Sequence, residues 1–405
     1  MKITLLGDLV PSAKVKFNFE LNTSLLIFNL EAPIVSEGNI AVSKAGPHLS
    51  SQKLTFPEIS TGAQVVANLS NNHIMDYGTG GLTNTISECD KNRVRLVGAG
   101  QNSEVARTPL ILSVEGKKVG IIGCCEQQFG SSTTSRAGVA CVGPWVYSQI
   151  KDLKTKVDLI IITIHGASED TSWPSPKWQE LLKSFIDAGA GIVHGHHSHV
   201  PQGFEEYNGG LIFYGLGNFV VDPKKWHDSP NTLWSIMPEI HIVDDEFKYD
   251  INVCTISEDE NDSIVINKAV LGNSGVHYQY LDLCNRPLKD EKLLNALWQE
   301  VTVRMYGLYY AKYLNFPEGK SQVEQVSVRG RAKYFLAAIQ GKIIGNTRST
   351  KSQLLLWYHL FACETHHEAL STALGVLGGE IEDLRTEETK SIVDHILPMP
   401  NQLIS

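Results

Sequence analysis

Short, uninterrupted apolar runs recur through the first half of this chain, and each breaks off at polar or glycine-rich residues. They read KITLLG, SLLIFNLE, QVVANLSNNH, RVRLVGAG, KVGIIGCC, DLIIITIHG, GIVHGHH and GLIFYGLGNFVV. A strand exposed on one face alternates apolar and polar side chains, whereas a strand covered on both faces does not. These runs therefore predict strands buried on both sides. Amphipathic segments lie between them. In GTGGLTNTISECDKNR, Leu82, Ile86 and Cys89 share one helical face, and in SPKWQELLKSFIDAGA so do Trp178, Leu181, Leu182 and Phe185. Alternating strand and helix predicts an α/β domain.

Around residues 225–275 the pattern changes to alternation with acidic turns, which predicts antiparallel strands added to the same domain. Beyond about residue 288 the chain reads as helical, in KDEKLLNALWQEVTVRMYGLYYAKYL, RAKYFLAAIQGKIIG, KSQLLLWYHLFACETHHEALSTALGVLGG and TEETKSIVDHIL. The expected division is residues 1–275 for the α/β domain and 276–405 for a helical C-terminal region. Aromatic residues in LYYAKYL and LLLWYHLF fall at helical spacing and are read as core or helix contacts. His366 and His367 are adjacent on a helix and face different ways, so they are not read as a ligand pair.

Each cluster of groups that can bind a metal lies just past the carboxyl end of an apolar run. Asp8 follows the first, Asn29 and Glu31 the second, and Asn71, Asn72 and His73 the third; His165 ends DLIIITIH, and His196, His197 and His199 follow GIVHG. In an open α/β sheet, ligands bind at the carboxyl edge of the strands. Imidazole mixed with oxygen donors suits Mn, Fe or Zn. Six ligands exceed one tetrahedral ion and fit two divalent ions roughly 3.5–4 Å apart, an arrangement that activates water and clamps phosphoryl oxygens. His194 is read as a core residue of its strand, and His196 stays open between ligand, substrate contact and neither.

The segments GDLVPS, FNLEAPI, ANLSNNHIMDYGTGGLTNT, VGAGQN and the long stretch from HGASED through GHHSHVPQG to YGLGNFVVD resemble, in order, the CapA family of poly-γ-glutamate capsule biosynthesis proteins, relatives of the calcineurin-like metallophosphoesterases. The resemblance spans roughly residues 1–245. It implies a four-layer αββα metallophosphoesterase-like sandwich, here with a C-terminal helical extension. It also implies metal ligands at Asp8, Glu31 (the bridging position), Asn72, His165, His197 and His199. His73 takes the place of the histidine that contacts substrate phosphate and protonates the leaving group, with Asp76 set to orient it. The sequence departs from the phosphoesterase opening Asp-x-His, since Asp8 is followed by Leu9 and Val10, and one histidine ligand is missing.

Candidate substrate contacts are Asn29, Lys44, His48, Glu169, His196 and Asn218; for Glu169 a solvated loop carboxylate, and for Asn218 a turn cap, are the competing readings. The formal net charge is -9, which argues against nucleic acid as a main partner. The seven cysteines are irregularly spaced with no CxxC, so no disulfide framework is expected and a reducing compartment is. MKITLLGDLVPS reads as a first buried strand, and no stretch approaches membrane-spanning length. A cytoplasmic protein is therefore expected. The leading functional expectation is a two-metal, phosphoesterase-like hydrolase acting on an anionic small molecule or polymer in capsule, exopolymer or glycan synthesis. Two others stand beside it: a non-catalytic accessory subunit of a polymer ligase, docking polymer-synthesis proteins through its C-terminal helices, and metal-dependent amide chemistry on a γ-glutamyl polymer.

Overall fold

The computed structural model describes residues 1–10, 14–226, 230–244, 246–309 and 350–397. The expected helix RAKYFLAAIQGKIIG and most of LYYAKYL lie outside these residues. The strands, in chain order, are β1 (Lys2–Leu9), β2 (Val15–Phe17), β3 (Leu25–Leu30), β4 (Gln64–Asn68), β5 (Arg95–Val97), β6 (Ala99–Gly100), β7 (Leu110–Val114), β8 (Lys117–Cys125), β9 (Gly138–Val139), β10 (Leu159–His165), β11 (Ile192–His196), β12 (Pro201–Tyr207), β13 (Gly210–Leu216), β14 (Asn218–Val220), β15 (Trp234–Val243), β16 (Glu246–Glu258) and β17 (Ile264–Val270). The helices are α1 (Gly78–Lys91), α2 (Ser103–Ala106), α3 (Pro144–Leu153), α4 (Pro176–Ala188), α5 (Val276–Leu288), α6 (Glu291–Thr302), α7 (Thr350–Ala362), α8 (Glu364–Gly378) and α9 (Glu387–Ile396), with π-helical turns at Val303–Tyr309 after α6.

Two sheets stack face to face. One runs β2-β17-β16-β15-β1-β3-β4-β5, with β14 paired to β1, and the other runs β12-β13-β11-β10-β8-β7. Strands β1, β3, β4 and β5 are parallel, as are β8, β10, β11 and β13. The expected antiparallel additions are β15, β16 and β17, joined to β1 through β15.

Side chains alternate across each sheet as the strand period requires. On β1, Ile3 and Leu5 enter the core between the sheets, while Leu6 and Leu9 join α1 (Leu82, Cys89) on the outer face. On β10, Ile161 points inward; Ile160, Ile162 and Ile164 meet α3 and α4 through Ile150, Leu182 and Phe185. The layers are thus helix, sheet, sheet, helix. Helix α4 starts where Ser175 accepts a hydrogen bond from the Trp178 amide, with Pro176 at its first position, and it stops at Gly189 (φ 122°).

The C-terminal helices are joined to this sandwich. Tyr280, Leu281 and Cys284 of α5, Leu294 and Leu297 of α6, and Val393 and Ile396 of α9 belong to the same buried cluster as the sheet interior. The Tyr280 hydroxyl donates to the Pro201 carbonyl at 2.9 Å, and the Trp173 indole N–H to the Leu283 carbonyl at 3.0 Å. Where LLLWYHLF was expected to supply core or helix contacts, α7 buries Leu360 but leaves Leu354, Tyr358 and Phe361 61%, 63% and 57% exposed. Its apolar residues run all round the cylinder, and a single helix buries only the side that meets a neighbour. Among the described residues no helix is long and apolar enough to cross a membrane.

Candidate metal centre and active site

The parallel strands of both sheets end at one edge, and the polar residues foreseen at those ends converge there. Strand β1 reaches it by close approach. A Cβ on Gly7 would lie 1.8 Å from the Gly217 carbonyl oxygen, so only glycine lets the Asp8 amide donate to that oxygen at 3.0 Å. Asp8 is buried and crowded with donors. The Asn29 amide donates to it at 2.8 Å, the His197 backbone N–H at 3.2 Å, and the His196 and His199 Nδ1 atoms lie at 3.3 and 3.5 Å. Burial opposes its charge, but the His196 hydrogen bond and the His196 and His199 charges win, holding its carboxyl down at about 2.

Glu31 is fully buried, and among the described residues neither carboxylate oxygen has a hydrogen-bond partner. The Nε2 atoms of His199 and His165 lie 3.7 and 3.9 Å from its Oε1. Ligand atoms of Glu31, His197 and His199 all lie within 4.8 Å of one another. Burial, then repulsion from Asp8, raises the Glu31 carboxyl well above its ordinary range. Burial alone would lower His199, yet Glu31, Asp8 and Glu169 carry it up to about 9. The field at this point favours positive charge. Unsatisfied, mutually close carboxylate and imidazole atoms are the donor set of a divalent cation, so these residues fit one.

Beside it, His165 Nε2 and Asn72 Oδ1 approach to 3.0 Å, while the Asn29 amide lies 3.2 Å from His165 Nδ1. Burial, then the neighbouring imidazoles, pushes His165 well below its ordinary pKa, leaving it neutral as a ligand must be. His197 is likewise lowered by burial, to about 4. His197 and His199 sit at φ 92° and 57°, left-handed backbone that costs a non-glycine residue about 1–2 kcal/mol and recurs at functional sites.

A second group stands at the mouth. His73 Nδ1 lies 2.8 Å from Asp76 Oδ2, and Lys44 forms an ion pair with the other Asp76 oxygen while donating to the Asn72 carbonyl at 3.3 Å. Burial lowers the pKa of both His73 and Lys44, against the pull of Asp76. With its Nδ1 proton on Asp76, neutral His73 keeps Nε2 as an acceptor.

The family model described as bacterial capsule synthesis protein PGA_cap matches residues 12–223, just over half of the 405 residues. The chain belongs to this family. A capsule biosynthesis protein CapA of Bacillus anthracis is 34% identical over 210 residues, which cover 50% of this chain and 51% of that protein. PGA biosynthesis protein CapA of Bacillus subtilis (strain 168) is 31% identical over 48% of this chain and 52% of its own length. A probable polyglutamine synthesis accessory protein of Mycobacterium tuberculosis is 29% identical over 49% and 56%. The chain thus spans about half the length of the curated relatives it matches. Among solved structures, a putative 5′-nucleotidase from Staphylococcus aureus in complex with α-ketoglutarate aligns over 56% of this chain and 42% of its own, at 15% identity and a TM-score of 0.31. A likeness that weak does not bear on the chemistry.

In this PGA_cap-family chain the expected ligand residues Asp8, Glu31, Asn72, His165, His197 and His199 gather at one edge, with His73 and Asp76 beside them. The expected substrate contacts divide. Lys44 lies against His73, and the Glu169 carboxylate is 3.8 Å from His197 Nε2. Asn29 and His196 are instead buried beneath Asp8. Asn29 is held by Asp8, His165 and Asn71, and His196 Nε2 pairs with the Thr163 hydroxyl at 3.1 Å, so both are placed to orient the expected ligand residues rather than to meet a substrate. Asn218 bonds His199 Nδ1 at 3.0 Å and the Thr232 carbonyl at 3.1 Å, and exposed His48 bonds the Val42 carbonyl of its own loop at 2.6 Å. His194 is core, with Nε2 donating across the sandwich to the Leu6 carbonyl at 3.0 Å.

Two neighbours escape the sequence reading. The Trp226 ring lies 4.4 Å from that of His199. Buried Glu126 directly follows the run KVGIIGCC, so the rule that found the other strand ends points to it as well. Its carboxyl lies 3.9 Å from His197 Nε2 and accepts from the Thr365 hydroxyl at 2.5 Å and amide at 3.2 Å. Burial, only partly offset by these bonds, raises it to about 8.

Proposed function

We propose that this chain is a divalent-metal-dependent hydrolase of phosphoesterase type, acting on an anionic intermediate of capsule or related exopolymer synthesis. The observation that carries the reading is Glu31, a buried carboxylate without a hydrogen bond among the described residues, whose atoms lie close to those of His197 and His199. Glu31, His197, His199 and Asp8 would hold one ion, and Asn72 and His165, with Glu31 between, a second. Nitrogen and oxygen donors without thiolate fit Mn, Fe or Zn. When bound, such ions polarise a phosphoryl oxygen and lower the pKa of water. The chain's own residues do the rest. Lys44 and the neighbouring amides orient an anionic group at the mouth. His73, its Nδ1 fixed by Asp76, presents Nε2 to the reacting oxygen; an arriving anion raises its pKa, so it can take up a proton and deliver it to the leaving group. The capsule assignment draws on the names of the Bacillus relatives.

The second reading is an accessory role without turnover, supported by the name of the Mycobacterium tuberculosis relative. A phosphomonoester and phosphodiester panel, run with manganese added, separates the two. Hydrolysis that disappears in His73→Ala while metal content holds supports the enzyme; full metal occupancy with no turnover on any substrate sinks it in favour of the accessory role.

A further inference from the structure

All seven cysteines are buried free thiols, and two of them meet. Cys125 closes β8, and Cys141 lies in the chain that returns beside it after β9. The two are partners in an isolated parallel bridge, fixed by the Cys125 amide on the Ala140 carbonyl at 3.0 Å and the Val142 amide on the Cys125 carbonyl at 2.7 Å. Neighbouring strands run about 4.7–4.9 Å apart, a spacing inside the roughly 4.4–6.8 Å between the Cα atoms of a disulfide. The two sulfur atoms lie 4.0 Å apart. Cys124 faces the other way, into the layer of α3 and α4. Two small core residues need no polar company, yet Cys141 has it. Ser131 Oγ lies 3.0 Å from its sulfur, and the Gln128 backbone N–H donates to it. The Cys125 S–H, joined by these two groups, outweighs burial and brings the Cys141 thiol down to about 7, while burial pushes Cys125 well above its ordinary range. Cys141 is thus the readier thiolate, and Cys125 stays a thiol.

We propose that Cys125 and Cys141 form a redox site, which a peroxide converts reversibly into a disulfide. Cys141, 8% exposed against none for Cys125, reacts first. Its sulfur attacks one peroxide oxygen; an S–O bond forms, the O–O bond breaks, and the departing hydroxide takes up the thiol proton as water. The Cys125 sulfur then attacks that of Cys141; the S–S bond forms, the S–O bond breaks, and hydroxide leaves with the Cys125 proton as a second water. Two thiols lose two electrons, and the peroxide is reduced to two waters. The bond fastens the base of the loop 126–140. That loop carries Glu126, which is 3.9 Å from His197 and held by α8, and Phe129, whose ring centre lies 5.4 Å from the Lys44 ammonium. The redox state is therefore registered beside the metal edge, and a transient bond of this kind suits a reducing compartment.

For the test, the full chain, reduced and loaded with manganese, is treated with hydrogen peroxide, blocked at its remaining thiols and digested with trypsin without reductant. Cleavage after Lys118, Arg136 and Lys151 puts Cys125 and Cys141 on separate peptides. Wild type is expected to yield these peptides cross-linked, with two fewer blockable thiols than the seven of the reduced chain, and dithiothreitol is expected to restore them. Cys125→Ala is expected to stop at a sulfenic acid on Cys141, trapped by dimedone, and Cys141→Ala to leave Cys125 unoxidised. Seven free thiols after a peroxide dose that oxidises glutathione overturn the site. So does sulfinic acid on Cys141 of wild type without the cross-link, or a cross-link that persists in Cys125→Ala. The wild-type peptide map decides the matter by itself where a variant does not fold.

Discussion

At the scale of single residues, a carboxylate taken out of water with no hydrogen bonds costs several kcal/mol unless a cation compensates. Glu31 is in that position. Glu31→Gln and His197→Ala are expected to lower bound metal by at least one equivalent per chain by elemental analysis, and undiminished content in either would dismiss the ligand assignment. His73→Ala and Asp76→Asn should leave metal content intact and lower kcat on a hydrolysed ester about 10²–10⁴-fold for the histidine, less for the aspartate. The strand-end rule found Glu31, His165 and the H-x-H pair because apolar runs stop where backbone meets solvent or ligand. The same rule could not say which way an amide faces. Asn29 and His196 come from those strand ends too, yet lie under Asp8, since orientation at a strand end depends on the partner sheet, which one sequence segment does not contain.

At the scale of elements, the tie between β8 and α8 runs through Glu126, whose carboxyl meets the first turn of α8. Its pKa in the fold, about 8, stands above its ordinary value of 4.5. Below pH 4.5 both folded and unfolded chains hold the proton, and stability is full. Between pH 4.5 and 8 the unfolded chain loses the proton first, so stability falls as pH rises, by on the order of a few kcal/mol. Chelator-treated wild type should thus lose Tm from pH 5 to pH 9 relative to Glu126→Gln, which keeps an acceptor for Thr365 but does not titrate; parallel Tm profiles would refute it. The doubly buried strands were legible because both-face burial leaves no alternation. Helix α5 falls inside the expected helical region 276–405, but no separate helical pattern is read over it, since VHYQYLDLCNRPL is rich in polar residues and carries Pro287 in its last turn. What makes it a helix here is tertiary: Tyr280, Leu281 and Cys284 find the open end of the sandwich.

At the scale of the whole molecule, the division expected at residue 275 falls between β17 and α5, but the buried cluster crosses it. A chain of residues 1–275 would expose the faces that α5, α6 and α9 cover. It is expected to aggregate or to melt well below the full chain by circular dichroism; a cooperative transition at the same Tm would establish a self-sufficient α/β unit. The convergence of the edge residues has a further consequence. Asp8 and Glu31 come from one sheet, and His165, His197 and His199 from the other, so their atoms meet only after both sheets have formed and stacked. The unfolded chain keeps only the local histidines of HGHHSH, with Asp8, Glu31 and His165 far off along the sequence, and so offers a weaker site than the fold. An ion held there, as proposed, would act as a rivet through the two layers, and its affinity would become a gauge of folding. A chelating agent should then behave as a mild denaturant, removing about 2.7 kcal/mol where free metal stood at a hundred times its Kd.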